Sequence, residues 1–345
     1  MGYRVAVVGA TGNVGREMLN ILEEVNFPVD EIHAIASRKS IGVEVGWKDG
    51  VIKCEDVEQF DFSTVDVVLM SVSGSFSKEW SPKIGAAGPI VIDNSSAWRM
   101  DPAVPLVVPE VNGATLARYA KKNIVANPNC STIHRVVALK CLHDEAAITR
   151  IVTSTYQSVS GAGKDAMDEL FRQSRAIFVG DPVERAKFPK QIAFNVIPQV
   201  DAFLDDGSTK EEEKQATETR KILGPDIKVS ATCVRVPVFR GHGEACTVEF
   251  ERPLSAQRAK VLLRNAPGSG ALRPCYERYL QIARKYPGFG LVLESPRWRS
   301  SADWGNRLGL ARDDLRTINA AAITDDGIEH GCARQQPEHG LAQHL

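Results

Sequence analysis

The chain begins with a short apolar run, Arg4-Val5-Ala6-Val7-Val8, that breaks at Gly9-Ala10-Thr11-Gly12-Asn13-Val14-Gly15. Met18, Leu19, Ile21 and Leu22 then recur at helical spacing, so the pattern predicts strand, glycine turn, helix. A second run, Ile32 to Ala36, stops at Ser37-Arg38-Lys39-Ser40. Val67-Val68-Leu69-Met70, Ile90-Val91-Ile92 and Leu106-Val107-Val108 are continuous apolar segments expected as buried strands. Such strands, separated by helical patterns, predict an α/β, Rossmann-like domain whose parallel sheet is covered on both faces.

The pattern changes after Asn127-Pro128-Asn129-Cys130. Longer mixed strands are expected at Arg150 to Ser158, Ile227 to Val238 and Glu244 to Glu251, with helices near Gly163 to Val179 and Lys210 to Leu223. These predict a second, α+β domain with a mainly antiparallel sheet. We divide the chain into residues 1–128, 129–262 and 263–345. From about Ala266 the periodicity fades, and Glu329 to Leu345 is polar, with no element expected.

Composition narrows the functional classes. A length of 345 residues accommodates two cores. A formal net charge of -1 gives no electrostatic case for nucleic acid or an anionic membrane. No apolar stretch is long enough to span a bilayer, and the start leads into a strand-like run without a charged-then-apolar leader. Seven cysteines, at 54, 130, 141, 233, 246, 275 and 332, form no C-x-x-C pair. Neither a disulfide framework nor a metal site is expected, and a reducing cytoplasm is the expected compartment.

The chemistry concentrates at two places. Gly9, Gly12 and Gly15, between strand and helix, suit a dinucleotide pyrophosphate held by backbone N–H groups, with Thr11, Asn13 and Val14 alongside. Where an acidic residue would grip a ribose hydroxyl, the second strand ends in Ser37, Arg38 and Ser40, which suits a 2′-phosphate and hence NADP. Cys130 opens a helical pattern, where the helix dipole should favour a thiolate, and Asn129 could stabilise an oxyanion beside it. His242, between Gly241 and Gly243, is the candidate base. Arg235, within an apolar strand, suggests a carboxylate ligand.

These residues together resemble aspartate-semialdehyde dehydrogenase of the bacterial type. The motifs run in order: the glycine turn, Ile92-Asp93-Asn94-Ser95-Ser96-Ala97-Trp98-Arg99, Asn127-Pro128-Asn129-Cys130-Ser131-Thr132, Tyr156-Gln157-Ser158-Val159-Ser160-Gly161-Ala162-Gly163, and Arg235 through His242. The resemblance covers about residues 3 to 262. It implies reversible reductive dephosphorylation of L-4-aspartyl phosphate to L-aspartate-4-semialdehyde with NADPH, on the route to lysine, threonine, methionine and diaminopimelate. It further implies a Cys130 thioester, acid–base chemistry at His242, orientation by Gln157, carboxylate binding by Arg235, and a phosphate site of Arg99, Lys214 and Glu211. Ser71, Ser160 and Gly161 join the implied cofactor contacts, and a homodimer or homotetramer is implied. An N-acetyl-glutamyl-phosphate reductase-like enzyme is the alternative, as is a non-catalytic or poorly folded NADP-binding product of a damaged gene.

Two departures stand out. His134, four residues after Cys130, replaces the neutral residue common in the family and is followed by Arg135. It reads as a tolerated substitution or an influence on the cysteine; a metal pair has no further ligands in sequence. After residue 262 the family pattern is lost, which a divergent or frame-shifted tail would produce.

Overall fold

The structure, a computed structural model, describes residues 2–264. The expectations for a divergent, frame-shifted or element-free tail fall almost wholly on residues 265–345 and lie outside the described residues.

Val5 to Val8 are buried within the first strand, β1 (Tyr3–Val8). Helix α1 (Asn13–Glu24) follows and turns Leu19 onto the sheet. Then come β2 (Val29–Ala36), β3 (Glu44–Trp47), β4 (Gly50–Asp56) and β5 (Val67–Met70). Helix α2 (Gly74–Ala87), β6 (Ile90–Asp93), the short α3 (Pro109–Asn112) and β7 (Ile124–Ala126) complete the first sheet region. Its seven strands run in the order β3-β4-β2-β1-β5-β6-β7. All pairings are parallel except β3 with β4, as expected of a Rossmann-like layer. The β3–β4 hairpin was not predicted, although Lys48-Asp49-Gly50 carries the Asp-Gly signal of a tight turn and Lys48 has φ 50°. Leu106-Val107-Val108, expected as a strand, makes only a single bridge, Leu106 to Ala126. β7 ends at Ala126, and the Val108 N–H goes instead to Asn112 Oδ1, so the ladder stops there.

The second sheet has β8 (Ile148–Gln157) between β10 (Gly243–Phe250) and β9 (Lys228–Arg235). β10 pairs antiparallel and β9 parallel to β8. Helices α4 (Cys130–Ala146), α5 (Lys164–Val179), α6 (Lys210–Leu223) and α7 (Ala256–Arg264) accompany it. Val136 of α4 and Ile222 of α6 enter the same apolar core as Val8, Val68, Met70 and Val91 of the parallel sheet. The helix that begins at Cys130 is thereby braced on the first sheet. No helix among the described residues is long and apolar enough to cross a membrane.

Candidate active site

The glycine turn has the form a dinucleotide needs. Gly9 has φ 85°, and a Cβ there would run into the Ser71 carbonyl oxygen. A Cβ on Gly15 would collide with the Gly9 carbonyl, so Gly15 lets α1 sit tight on the strand. Gly12 caps α1 without any side-chain hydrogen bond, and no acidic residue lies in the first turn. The helix thus presents its orphan N–H groups, at Asn13, Val14 and beyond, to an anion. Thr11 is half-buried within the turn, and its carbonyl accepts from Arg16 Nε. These features fit a bound pyrophosphate. Ser37 caps a 3₁₀ turn over Arg38–Ser40 at the end of β2. Arg38 is exposed but already paired, 2.7 Å from Glu58 and 3.5 Å from Asp56.

Strand register builds the second part of the site. Gln157 on β8 lies opposite Arg235 on β9, and Tyr156 lies opposite Gly243 on β10. One end of the sheet therefore delivers Gln157, Arg235 and His242 together. Gly161 sits against them: a methyl there would stand 3.2 Å from Arg235 Nη1 and 3.4 Å from His242 Nε2. Ser160 Oγ lies 3.0 Å from Ser158 Oγ. The Ser158 N–H donates to His242 Nδ1 at 3.0 Å, and Ser158 Oγ lies equally close. The amide serves the tautomer with its proton on Nε2; the hydroxyl can accept from Nδ1–H and leave the Nε2 lone pair facing the site. Burial first, then the Arg235 and His134 charges, push His242 below the ordinary histidine range, while Glu211 opposes them.

Cys130 is exposed at the first position of α4, its Sγ 3.9 Å from Asn129 Oδ1. Crowding by protein, followed by the Glu211 carboxylate, pushes its thiol up, against the Ser131 hydrogen bonds and Arg99. The helix end favours the thiolate, and crowding by protein and the Glu211 carboxylate act in the opposite direction. Asn129 is tied into the same network. Its Oδ1 accepts from Ser131 N and Gln215 Nε2, and its Nδ2 donates to Glu211 at 2.9 Å. Two bonds to Oδ1 and one from Nδ2 hold the amide beside Cys130, and the second Nδ2 N–H makes no hydrogen bond among the described residues, so it remains for an oxyanion.

Helix α6 holds this arrangement. Glu211 Oε1 accepts from Asn129 and from Gln157 Nε2 at 3.1 Å, and its Oε2 lies 3.3 Å from Lys214 Nζ. Lys214 also meets Asp201 at 2.8 Å; burial opposes its charge, but the two carboxylates hold it above the ordinary lysine range. Glu218, one further turn and more along α6, was not anticipated. It accepts from the Asn129 N–H and pairs with Arg99 at 3.0 Å in a buried ion pair. Three of the five Arg99 N–H groups go to Glu218, Asn127 O and Asn94 O, which leaves two for an anion. Arg235 is the contrasting cation. It is buried, donates to the Ser158 carbonyl, and forms no ion pair among the described residues. Burial lowers its pKa, against Glu211 and Cys130. The spacing of Glu211, Gln215, Glu218 and Ile222 along one helix face was the available signal for a buried α6.

Comparison with known proteins places this geometry. The semialdehyde dehydrogenase NAD-binding domain profile matches residues 4–119, and the semialdehyde dehydrogenase dimerisation domain profile matches 139–288. The aspartate-semialdehyde dehydrogenase of Aquifex aeolicus is 54% identical over 272 residues, 78% of this chain and 80% of that protein. The chain belongs to the aspartate-semialdehyde dehydrogenase family. Aspartate semialdehyde dehydrogenase II of Vibrio cholerae, solved complexed with ASA, aligns at a TM-score of 0.77 and 48% identity, covering 78% of this chain and 80% of its own. The family enzyme of Candida albicans, solved with NADP, aligns at a TM-score of 0.59 and 25% identity, covering 78% of each chain. The N-acetyl-glutamyl-phosphate reductase alternative is not favoured, because relatives at 48–54% identity carry the aspartate-semialdehyde name.

Proposed function

We propose that the chain interconverts L-aspartate-4-semialdehyde, NADP+ and phosphate with L-4-aspartyl phosphate, NADPH and a proton, through a thioester on Cys130. The observation that supports it most is the buried, unpaired Arg235 guanidinium beside His242, at the sheet end nearest Gln157. A cation that forms no ion pair among the described residues suits a carboxylate brought by the substrate.

In the reductive direction, His242 takes the Cys130 proton at Nε2 while Nδ1 is held by the Ser158 hydroxyl. The thiolate adds to the acyl carbon, the bond to the phosphate oxygen breaks, and the thioester remains on Sγ. NADPH, when bound on the glycine turn with its 2′-phosphate at Ser37, Arg38 and Ser40, supplies the hydride. Ser71, Ser160 and Gly161 would be among the residues that hold it. The proton held on His242 then goes to the developing oxyanion; on collapse to the aldehyde His242 takes that proton back as the C–S bond breaks and returns it to the leaving thiolate, while the released phosphate takes its proton from solution. Gln157 and Asn129, both tied to Glu211, fix the sulfur against the sheet end. Lys214, with Glu211, and the two remaining Arg99 N–H groups complete the phosphate side. The enzyme acts in the cytoplasm as a homodimer or a homotetramer, in amino-acid biosynthesis.

Phosphate-dependent NADPH formation from aspartate semialdehyde tests this. Turnover that requires phosphate and is abolished by Cys130→Ser is the expected result. Full activity in Cys130→Ser, with the variant folded, would overturn it.

A further inference from the structure

His134 has no part in the mechanism above, yet the fold brings it to the base. It lies one turn after Cys130 on α4, and its ring meets that of His242 edge-on, with centroids 6.2 Å apart. Its own ring nitrogens hydrogen-bond to no described residue, and the residue is exposed. His242, by contrast, is half-buried and tied to Ser158. The charged groups that face His242 are His134 from α4, Glu211 from α6 and Arg235 from β9, with Arg240 two residues earlier in its own loop.

We propose that His134 is a positioning residue for the reaction: its imidazole takes the first proton of the pair and thereby keeps the adjacent His242 free to act as base as the pH falls. The physical reason is the difference between the two rings. Burial opposes a proton on either ring, but a proton on His242 must also share its space with the Arg235 guanidinium. Once His134 is charged, a second charge 6.2 Å away is opposed, so the two rings titrate as a coupled pair. Burial lowers His134 as well, but without an adjacent arginine acting on it. The kinetic consequence rests on His242 being the base.

Histidine-selective NMR of the full chain, with the His242 signal assigned through His242→Asn, follows the ring directly. In His134→Gln the His242 titration should rise by roughly half a unit, because a neutral amide replaces the charge that opposed it. In His134→Lys, where a fixed charge remains, it should lie no higher than in the parent. The acid limb of kcat/KM should move with the ring in each variant. An unchanged His242 titration in His134→Gln would overturn the proposal. A ring titration that moves while the kinetic limb stays would uphold the coupling and refute the assignment of His242 as base.

Discussion

The two halves of the site are made from different materials. The dinucleotide turn is built from backbone: Gly9 and Gly15 supply close approach, and Gly12 opens a helix end with no side-chain cap. The thiol side is built from buried side chains, with Glu211 and Glu218 of α6 reaching Asn129, Gln157 and Arg99 across more than fifty residues of sequence. A backbone site depends little on side chains but does not admit a Cβ at Gly9 or Gly15, where it would run into backbone carbonyls. A side-chain site depends on each partner, because removing one leaves another buried and unsatisfied.

Glu218→Ala should separate these halves most strongly. It leaves the Arg99 guanidinium buried without its carboxylate and frees the Asn129 N–H, at a cost of about 3–5 kcal/mol. Urea unfolding would measure it; a loss below about 1 kcal/mol would mean that water replaces the carboxylate without difficulty. Gly15→Ala probes the other half with a smaller effect, about 1–3 kcal/mol, as α1 is forced off the Gly9 carbonyl. Its sharper signature is weakened NADPH binding, measured by fluorescence titration, with the alkylation rate of Cys130 unchanged. Equal loss in both readouts would show that the halves are not independent.

The same contrast explains what could be read from the chain. The glycine turn, α1, β2 and the Ser37–Ser40 turn were legible because each is a local pattern of a few residues. Cys130, Gln157, Arg235 and His242 were picked out by motif, and strand register brings the last three to one sheet end. The state of the thiol was not legible: its helix position argued for depression, whereas crowding and Glu211, eighty-one residues away, raise it. Glu218 was hidden for the same reason. In sequence it stands between Thr217 and Thr219 in a polar helix, and the packing of α6 against α4 and β9 buries it. The ion pair of Arg99 was not legible, because its partner Glu218 lies 119 residues further on.

The covalent step can be observed directly. Mixing the full chain with aspartate semialdehyde and NADP+ in the absence of phosphate, followed by rapid acid quench and peptide mass spectrometry, should find the aspartyl acyl group on the peptide that contains Cys130. Added phosphate should discharge it. An acyl group on another residue, or steady turnover with Cys130 never modified, would contradict the account.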